Sequence, residues 1–223
     1  ILRVAELPNK SYPHGMAYDR KRNQLLVVFT RFDMIQIFDA DSMRPAGEIL
    51  FSDVRHSGET YRHHINDVCV WEDDLYVSMF SETGKVSEEV FDGAILQYDL
   101  PRRKKVKTVI GHLSQPHSVK VFDGKLYFLD SLKGNFRDAS GEVLSSFSGF
   151  VRGLDFDGRY WYVGQSVNRY ISRMQGVSNN ISMDSGIIAI DAHSKASRFL
   201  QVLNIQDINT ISICKPSNLG EGI

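Results

Sequence analysis

The chain has 223 residues, of which 42% are hydrophobic and 24% are charged, and its formal net charge is −1. This composition is typical of a globular domain, and the near-neutral charge gives no reason to expect nucleic acid or an anionic membrane as a partner. We find no apolar stretch long enough to cross a bilayer and no secretory leader, so we expect a cytoplasmic protein.

Five segments of the chain repeat one pattern, which is a strand of period two followed by a short polar turn. In the first four segments, a second and more apolar strand follows the turn. In chain order, the segments begin at Pro13, Ile65, Pro116, Val151 and Ile208. The copies "PHSVKVFDGKLYFLD" and "VRGLDFDGRYWYVG" show the pattern most clearly.

In three of the repeats a third strand follows, with a recurrent aspartate at its end. The segments are "MIQIFDAD" (Met34–Asp41), "AILQYDLP" (Ala94–Pro101) and "GIIAIDAH" (Gly186–His193). Looser fourth strands such as "AGEILF" and "KVKTVIG" come next. Four short antiparallel strands per repeat, at periods of about fifty residues, predict an all-β fold, the β-propeller. We expect one domain over residues 1–223.

The number of blades depends on the two ends of the sequence. Four blades are complete, and the fifth has only a first strand near Asn209. The opening strand Ile1–Leu7 could serve as the outer strand of that fifth blade, which would remove an exposed sheet edge. Five blades are therefore favoured, with six or more if further sequence flanks the chain.

Two cysteines, Cys69 and Cys214, lie far apart in apolar, strand-like runs. A disulfide-stabilised secreted domain would carry a denser cysteine pattern. We therefore predict two reduced thiols in the core.

The residue just before the innermost strand of a propeller blade points toward the mouth of the central channel. All five residues at this leading position are polar and can donate hydrogen bonds: His14, Asn66, His117, Arg152 and Asn209. His64 and Asp67 flank the second of them. These residues predict a ligand site at the channel mouth, unless they only bond to one another and to trapped water.

Acid–base chemistry is the first reaction type that these residues could support. His14 or His117 could exchange a proton near neutral pH, and Arg152 could stabilise a developing negative charge. His64, Asn66 and Asn209 would bind the ligand. Since a guanidinium favours an anionic group, we expect a small polar, anionic ligand. Lyase or transferase activity would fit, because no motif for a covalent nucleophile is present.

A divalent metal ion is the one cofactor that these side chains suggest. His14, His64 and His117 could supply three imidazole ligands if they converge on one point. No ligand spacing such as HExxH supports such a site.

Three connections are long: Ser52–His64, Ser81–Gly93 and Ser166–Gly186. Loops of this length are usually functional or disordered. They suggest a covered pocket or, as the alternative function, a non-catalytic scaffold that binds a protein partner through its loops.

The segments "HIND" (His64–Asp67), "QPHSVKVFDGKLYFLDS", "FVRGLDFDGRYWYVGQS" and "GIIAID" (Gly186–Asp191) resemble an uncharacterised bacterial propeller-like family, a domain of unknown function. The resemblance runs from about Arg62 to Ile213 and implies the propeller fold and the importance of His64, Asn66, His117 and Arg152. A looser similarity to plant-type glutaminyl cyclotransferases concerns the fold alone.

Overall fold

The computed structural model describes residues 7–54, 61–169 and 180–214. The chain divides into two compact units, Ile1–Ser146 and Phe147–Ile223, which we call unit 1 and unit 2. The prediction of one domain over residues 1–223 stays a prediction, and the two units are described in turn.

Unit 1 contains three four-stranded antiparallel sheets, and in each sheet the strands lie side by side in chain order. The first sheet has β1 (Pro13–Asp19), β2 (Gln24–Phe29), β3 (Met34–Asp39) and β4 (Pro45–Leu50). The second has β5 (Ile65–Trp71), β6 (Asp74–Met79), β7 (Gly93–Asp99) and β8 (Lys104–Leu113). The third has β9 (Pro116–Phe122), β10 (Lys125–Asp130), β11 (Asn135–Asp138) and β12 (Val143–Ser146). Short 3-10 helices occupy Thr30–Phe32, Val86–Glu88 and Ser131–Lys133.

Unit 2 contains one further sheet of the same type. Its strands are β13 (Phe150–Phe156), β14 (Tyr160–Ser166), β15 (Gly186–Asp191) and β16 (Ser197–Gln201). Sheets of four sequential antiparallel strands are propeller blades. The four complete blades predicted from the repeats are therefore confirmed.

The middle strands of the blades carry the core. In unit 1, one apolar cluster joins the first two sheets through residues such as Leu26, Ile37 and Leu75. A second cluster joins the second and third sheets, with Ile95 and Phe128 fully buried. The second sheet thus packs against a neighbour on both of its faces. Strands that are buried on both faces have nearly continuous apolar runs instead of alternating ones. Burying each such side chain contributes about 1.5–3 kcal/mol.

A β-bulge interrupts the start of the first strand in all four blades. The pairing register shifts between Pro13 and Met16 in β1 and between Ile65 and Asp67 in β5. It also shifts in β9, opposite Tyr127–Leu129, and between Arg152 and Leu154 in β13. A bulge bends the strand and redirects its side chains. The leading residues therefore lie at points where the backbone departs from the regular ladder.

The predicted first strand of a fifth blade is not a strand in the structure. Residues 208–213 instead follow β13 and β14 through bonds to side chains: the Ile208 amide donates to Ser166 Oγ (2.9 Å), and the Ile213 amide donates to Asp155 (2.6 Å). Strand assignment requires a backbone ladder, which these side-chain contacts do not supply. Residues 1–6 of the proposed outer strand lie outside the described residues, so a fifth blade stays a prediction.

No helix in the described part of the chain is long and apolar enough to span a membrane. The two cysteines are free thiols in different surroundings. Cys69 packs on the second apolar cluster, and desolvation raises its pKa to about 11. Cys214 is exposed, so its prediction as a core thiol is wrong, because the segment that carries it belongs to no sheet.

Alkylation separates the two thiols. At pH 8, a pKa of about 11 leaves only about one Cys69 side chain in a thousand as the reactive thiolate. We expect iodoacetamide to modify Cys214 quickly and Cys69 only after unfolding, as followed by intact mass. In Cys214→Ser, the native protein should then react very slowly. Equal rates for the two thiols in the native protein would contradict the burial of Cys69.

Candidate functional site

His117, the leading residue of β9, is buried with 6% of its surface exposed. Its Nδ1 lies 2.9 Å from the Gln115 carbonyl oxygen and 2.8 Å from Ser131 Oγ. A carbonyl oxygen can only accept, so Nδ1 carries the proton and donates it. In the neutral ring, Nε2 then carries the lone pair. This is the tautomer that a general base needs at Nε2.

His14, the leading residue of β1, repeats this arrangement at the surface. Its Nδ1 lies 3.1 Å from the carbonyl oxygen of Tyr12, again two residues earlier in the chain. The same reasoning places the lone pair of the neutral ring on Nε2. The two leading histidines therefore share one orientation and differ in exposure.

Phe80 joins the histidines into one group. Its ring stacks on His64, with centroids 4.1 Å apart and planes 10° apart, and it meets the edge of His117 at 5.2 Å. His64 in turn makes edge contacts with Tyr61 at 4.5 Å and with His14 at 5.8 Å. We call His14, Tyr61, His64, Phe80 and His117 the histidine–aromatic cluster. It runs from exposed His14 through half-buried His64 to buried Phe80 and His117.

Phe80 occupies a position that carries a hydroxyl group in the other three blades. Pro13, Ile65, Pro116 and Val151 begin the four repeats, and each pairs with a residue of the second strand. The residues that directly follow those partners are Thr30, Phe80, Ser131 and Ser166. Thr30 Oγ1 donates to the Ile65 carbonyl (2.7 Å), and Ser166 Oγ donates to the Ile208 carbonyl (3.3 Å). Each bond reaches the residue that precedes the next leading position. A phenyl ring cannot make this bond.

Asn66 makes the corresponding link in the second blade. Its Nδ2 donates to the Pro116 carbonyl (2.9 Å), and its Oδ1 accepts from Ser78 Oγ (2.8 Å). The side chain is 2% exposed. Both polar atoms of the carboxamide are thus used inside the protein, which is a structural role for a residue predicted to bind ligand.

The turn before β5 is fixed by one carboxylate. Asp33, which is fully buried, accepts the backbone N–H groups of Arg62 (2.5 Å), His63 (2.9 Å) and His64 (3.0 Å). His64 has a left-handed φ of 51°, which is uncommon for a residue other than glycine. The three bonds to Asp33 offset this backbone strain and orient the His64 ring on Phe80.

In unit 2, the leading residue Arg152 belongs to a charged group. Its Nη1 lies 3.7 Å from Asp207 Oδ1, and Arg169 Nη2 lies 3.0 Å from the same oxygen. The two guanidinium groups therefore face one carboxylate oxygen. Asn209, the fifth leading residue, is exposed.

The three histidines predicted as metal ligands do not converge. Phe80 lies between His64 and His117, and His14 meets His64 edge-on. Across residues 7–54, 61–169 and 180–214, no three His, Cys, Asp or Glu side chains form a metal-binding group. A divalent metal ion stays a prediction.

Of the three long loops, only 81–93 is described throughout. Ser81 Oγ donates to Asp92 Oδ1 (2.5 Å) and accepts from the Lys85 amide (3.0 Å). Desolvation tends to raise the pKa of Asp92, but the hydrogen bonds from Ser81 and Thr83 outweigh it, so the pKa is lowered. Parts of the other two loops, residues 55–60 and 170–179, lie outside the described residues.

Sequence reasoning missed Phe80 and Tyr61. A signal for Phe80 was present, because the second and third repeats align without a gap through Phe80 and Ser131. A ring in place of a hydroxyl group at an inter-blade position marks a change of role. Tyr61 carries no comparable pattern.

Four-stranded antiparallel blades whose first strands begin at bulged polar residues define this protein as a β-propeller. A family profile matches residues 1–214, and the chain belongs to that family, described as domain of unknown function (DUF4915). The resemblance seen in the sequence is thereby confirmed. A search of curated proteins finds no match.

Solved structures share the fold. A gluconolactonase-like protein is 15% identical, with a TM-score of 0.64 over 95% of this chain and 70% of that one. A luciferin-regenerating enzyme is 12% identical, with a TM-score of 0.57 over 96% of this chain and 83% of that one. A nidogen/laminin complex is 12% identical, with a TM-score of 0.59 over 89% and 66%. Such identities show the fold alone.

Replacing Asn66 tests its inter-blade link. Asn66→Ala leaves the Pro116 carbonyl and Ser78 Oγ without these bonds, so we expect the free energy of unfolding to fall by about 1–3 kcal/mol. Urea denaturation measures the change. Asn209→Ala, at the exposed equivalent position, should change stability by no more than about 0.5 kcal/mol. Equal effects of the two substitutions would show that Asn66 is not a structural link.

Proposed function

We propose that the histidine–aromatic cluster binds a small polar, anionic metabolite and that His117 exchanges a proton with it. The observation that carries this proposal is the bond from His117 Nδ1 to the Gln115 carbonyl oxygen, which directs the Nε2 lone pair away from the backbone. A general base that acts through Nε2 needs this tautomer, with the proton on Nδ1.

The surroundings of His117 support binding of a small molecule. Aromatic rings and a few polar groups line the usual ligand site, and the cluster supplies both. Its members range from exposed His14 through half-buried His64 to buried His117.

The charge of the ligand follows from the basic character of the site residues. Imidazoles become cationic on protonation and then favour an anion. A carboxylate is the simplest small anion that a protonated imidazole would bind.

A base beside a bound carboxylate can remove a proton from carbon or from water. The first reaction begins an elimination, which is lyase chemistry, and the second begins the hydrolysis of an ester or lactone. The gluconolactonase-like protein and the luciferin-regenerating enzyme show that the fold carries enzymes of small molecules. Their names make lactones reasonable probes of this chain.

NMR titration with small carboxylates tests the proposal. The probes are malate, lactate and gluconate, together with glucono-1,5-lactone, each taken to millimolar concentration. We expect saturable shifts of the His64 and His117 ring resonances and none for exposed His193. Unchanged cluster resonances with every probe would overturn the proposal and favour a protein-binding scaffold.

A His117 variant connects binding with the proton-carrying atom. His117→Asn keeps an N–H donor near the Gln115 carbonyl and removes Nε2, so we expect at least a tenfold loss of affinity for the carboxylate that binds best, measured by calorimetry. His112→Asn, at an exposed position in β8, is the matched control and should bind like the parent protein. Retained affinity in His117→Asn, with an unchanged circular dichroism spectrum, would remove His117 from the site.

A further inference from the structure

Gln115 is buried without hydrogen bonds to its side chain. It is 1% exposed, and neither Oε1 nor Nε2 has a hydrogen-bond partner within the described parts of the chain. A carboxamide loses its bonds to water on burial and is normally compensated inside the protein. Gln115 also has a left-handed φ of 55°. An uncompensated polar group on a strained backbone is a feature that proteins tend to keep at functional sites.

The position of Gln115 places it beside the proposed general base. It precedes His117 by two residues, and its own carbonyl oxygen holds His117 Nδ1 at 2.9 Å. The same position in the other two blades of unit 1 belongs to Tyr12 and His64, with φ values of 50° and 51°. The three residues therefore share a left-handed φ at equivalent positions of their repeats. The His64 ring at this position lies within the histidine–aromatic cluster.

Other buried glutamines show what compensation looks like in this protein. Gln36 donates from Nε2 to the Gly47 carbonyl at 2.7 Å. Gln165 donates to the Asp184 carbonyl at 2.8 Å and to Ser182 Oγ at 3.1 Å. Gln115 differs from both in lacking any such bond, although it is more buried than either.

We propose that Gln115 determines specificity in the site described under Proposed function, by recognising a small α-hydroxycarboxylate. A carboxamide offers an N–H donor and a carbonyl acceptor side by side. An α-hydroxycarboxylate offers the complement: a carboxylate oxygen accepts from Nε2, and the α-hydroxyl group donates to Oε1. This inference rests on the proposed function and names the substrate class that it left open.

The preference of the parent protein gives the first test. Malate and succinate differ only in the α-hydroxyl group, as do lactate and propionate. A buried group that bonds to a ligand hydroxyl discriminates strongly against the analogue that lacks it. We expect malate or lactate to bind at least tenfold more tightly than its deoxy partner, as measured by calorimetry. Equal affinities within both pairs would overturn the inference.

Gln115→Met gives the second test, because it replaces the carboxamide with an apolar chain of similar length. We expect a higher melting temperature, since an uncompensated polar group is removed, together with loss of the preference for malate over succinate. Gln36→Met is the matched control: it removes a compensated carboxamide, so it should lower the melting temperature and keep the preference.

The outcomes of the two tests separate this inference from the proposed function. If Gln115→Met keeps the full preference for malate, then Gln115 is a structural residue, for instance one that bonds to a buried water molecule, and the inference fails. Carboxylates that bind through His117 with no α-hydroxyl preference would also overturn the inference and leave the proposed function standing. If no carboxylate perturbs His117, both fail together.

Discussion

One type of hydrogen bond recurs along the repeats and holds the backbone just before a leading residue. A polar side chain, either at the start of the first strand or at the end of the second, donates to the carbonyl that precedes the next leading residue. Thr30 and Asn66 make this bond in unit 1, to Ile65 and Pro116, and Ser166 makes it to Ile208 in unit 2. In β5 and β9 the residue after this carbonyl lies at a bulge, so the bond helps to fix the backbone from which the leading side chain projects.

The second blade shows how this constraint creates a site. There the link comes from Asn66, a leading residue, instead of from the hydroxyl position. That exchange frees position 80 for an aromatic ring. Phe80 then stacks on His64 and meets His117, so the histidines of three consecutive leading turns become one cluster. Asn66 thus has a structural role in the second blade, and Phe80 brings the histidines of the candidate site together.

The sequence predicts the blades well because strand period and turn spacing repeat along the chain. It also places His14 and His117 at equivalent positions of the repeat, with His64 two residues before the leading residue between them. It does not reveal that Asn66 is structural, since a buried link and a ligand donor require the same residue type. Nor does it reveal the left-handed backbone at Tyr12, His64 and Gln115. Glycine normally marks such a backbone, and none of these three positions is a glycine. Residues 208–213 form no strand in the structure, because an alternating pattern alone cannot supply the partner strand that a ladder needs.

Within the described part of unit 1, some buried polar side chains have their hydrogen bonds made inside the protein, and the side chain of Gln115 does not. Asp33 and Asn66 have their bonding capacity used by backbone groups and by neighbouring side chains, so each stabilises one conformation of a turn or strand. Gln115 is as deeply buried and lies on an equivalent turn, yet its carboxamide has no such bonds among the described residues. If folding were the only requirement, an apolar residue would serve better at that position. The proposal that Gln115 recognises a ligand accounts for the polar side chain at this position, and it places that ligand near His117, whose Nδ1 is held by the carbonyl of the same residue.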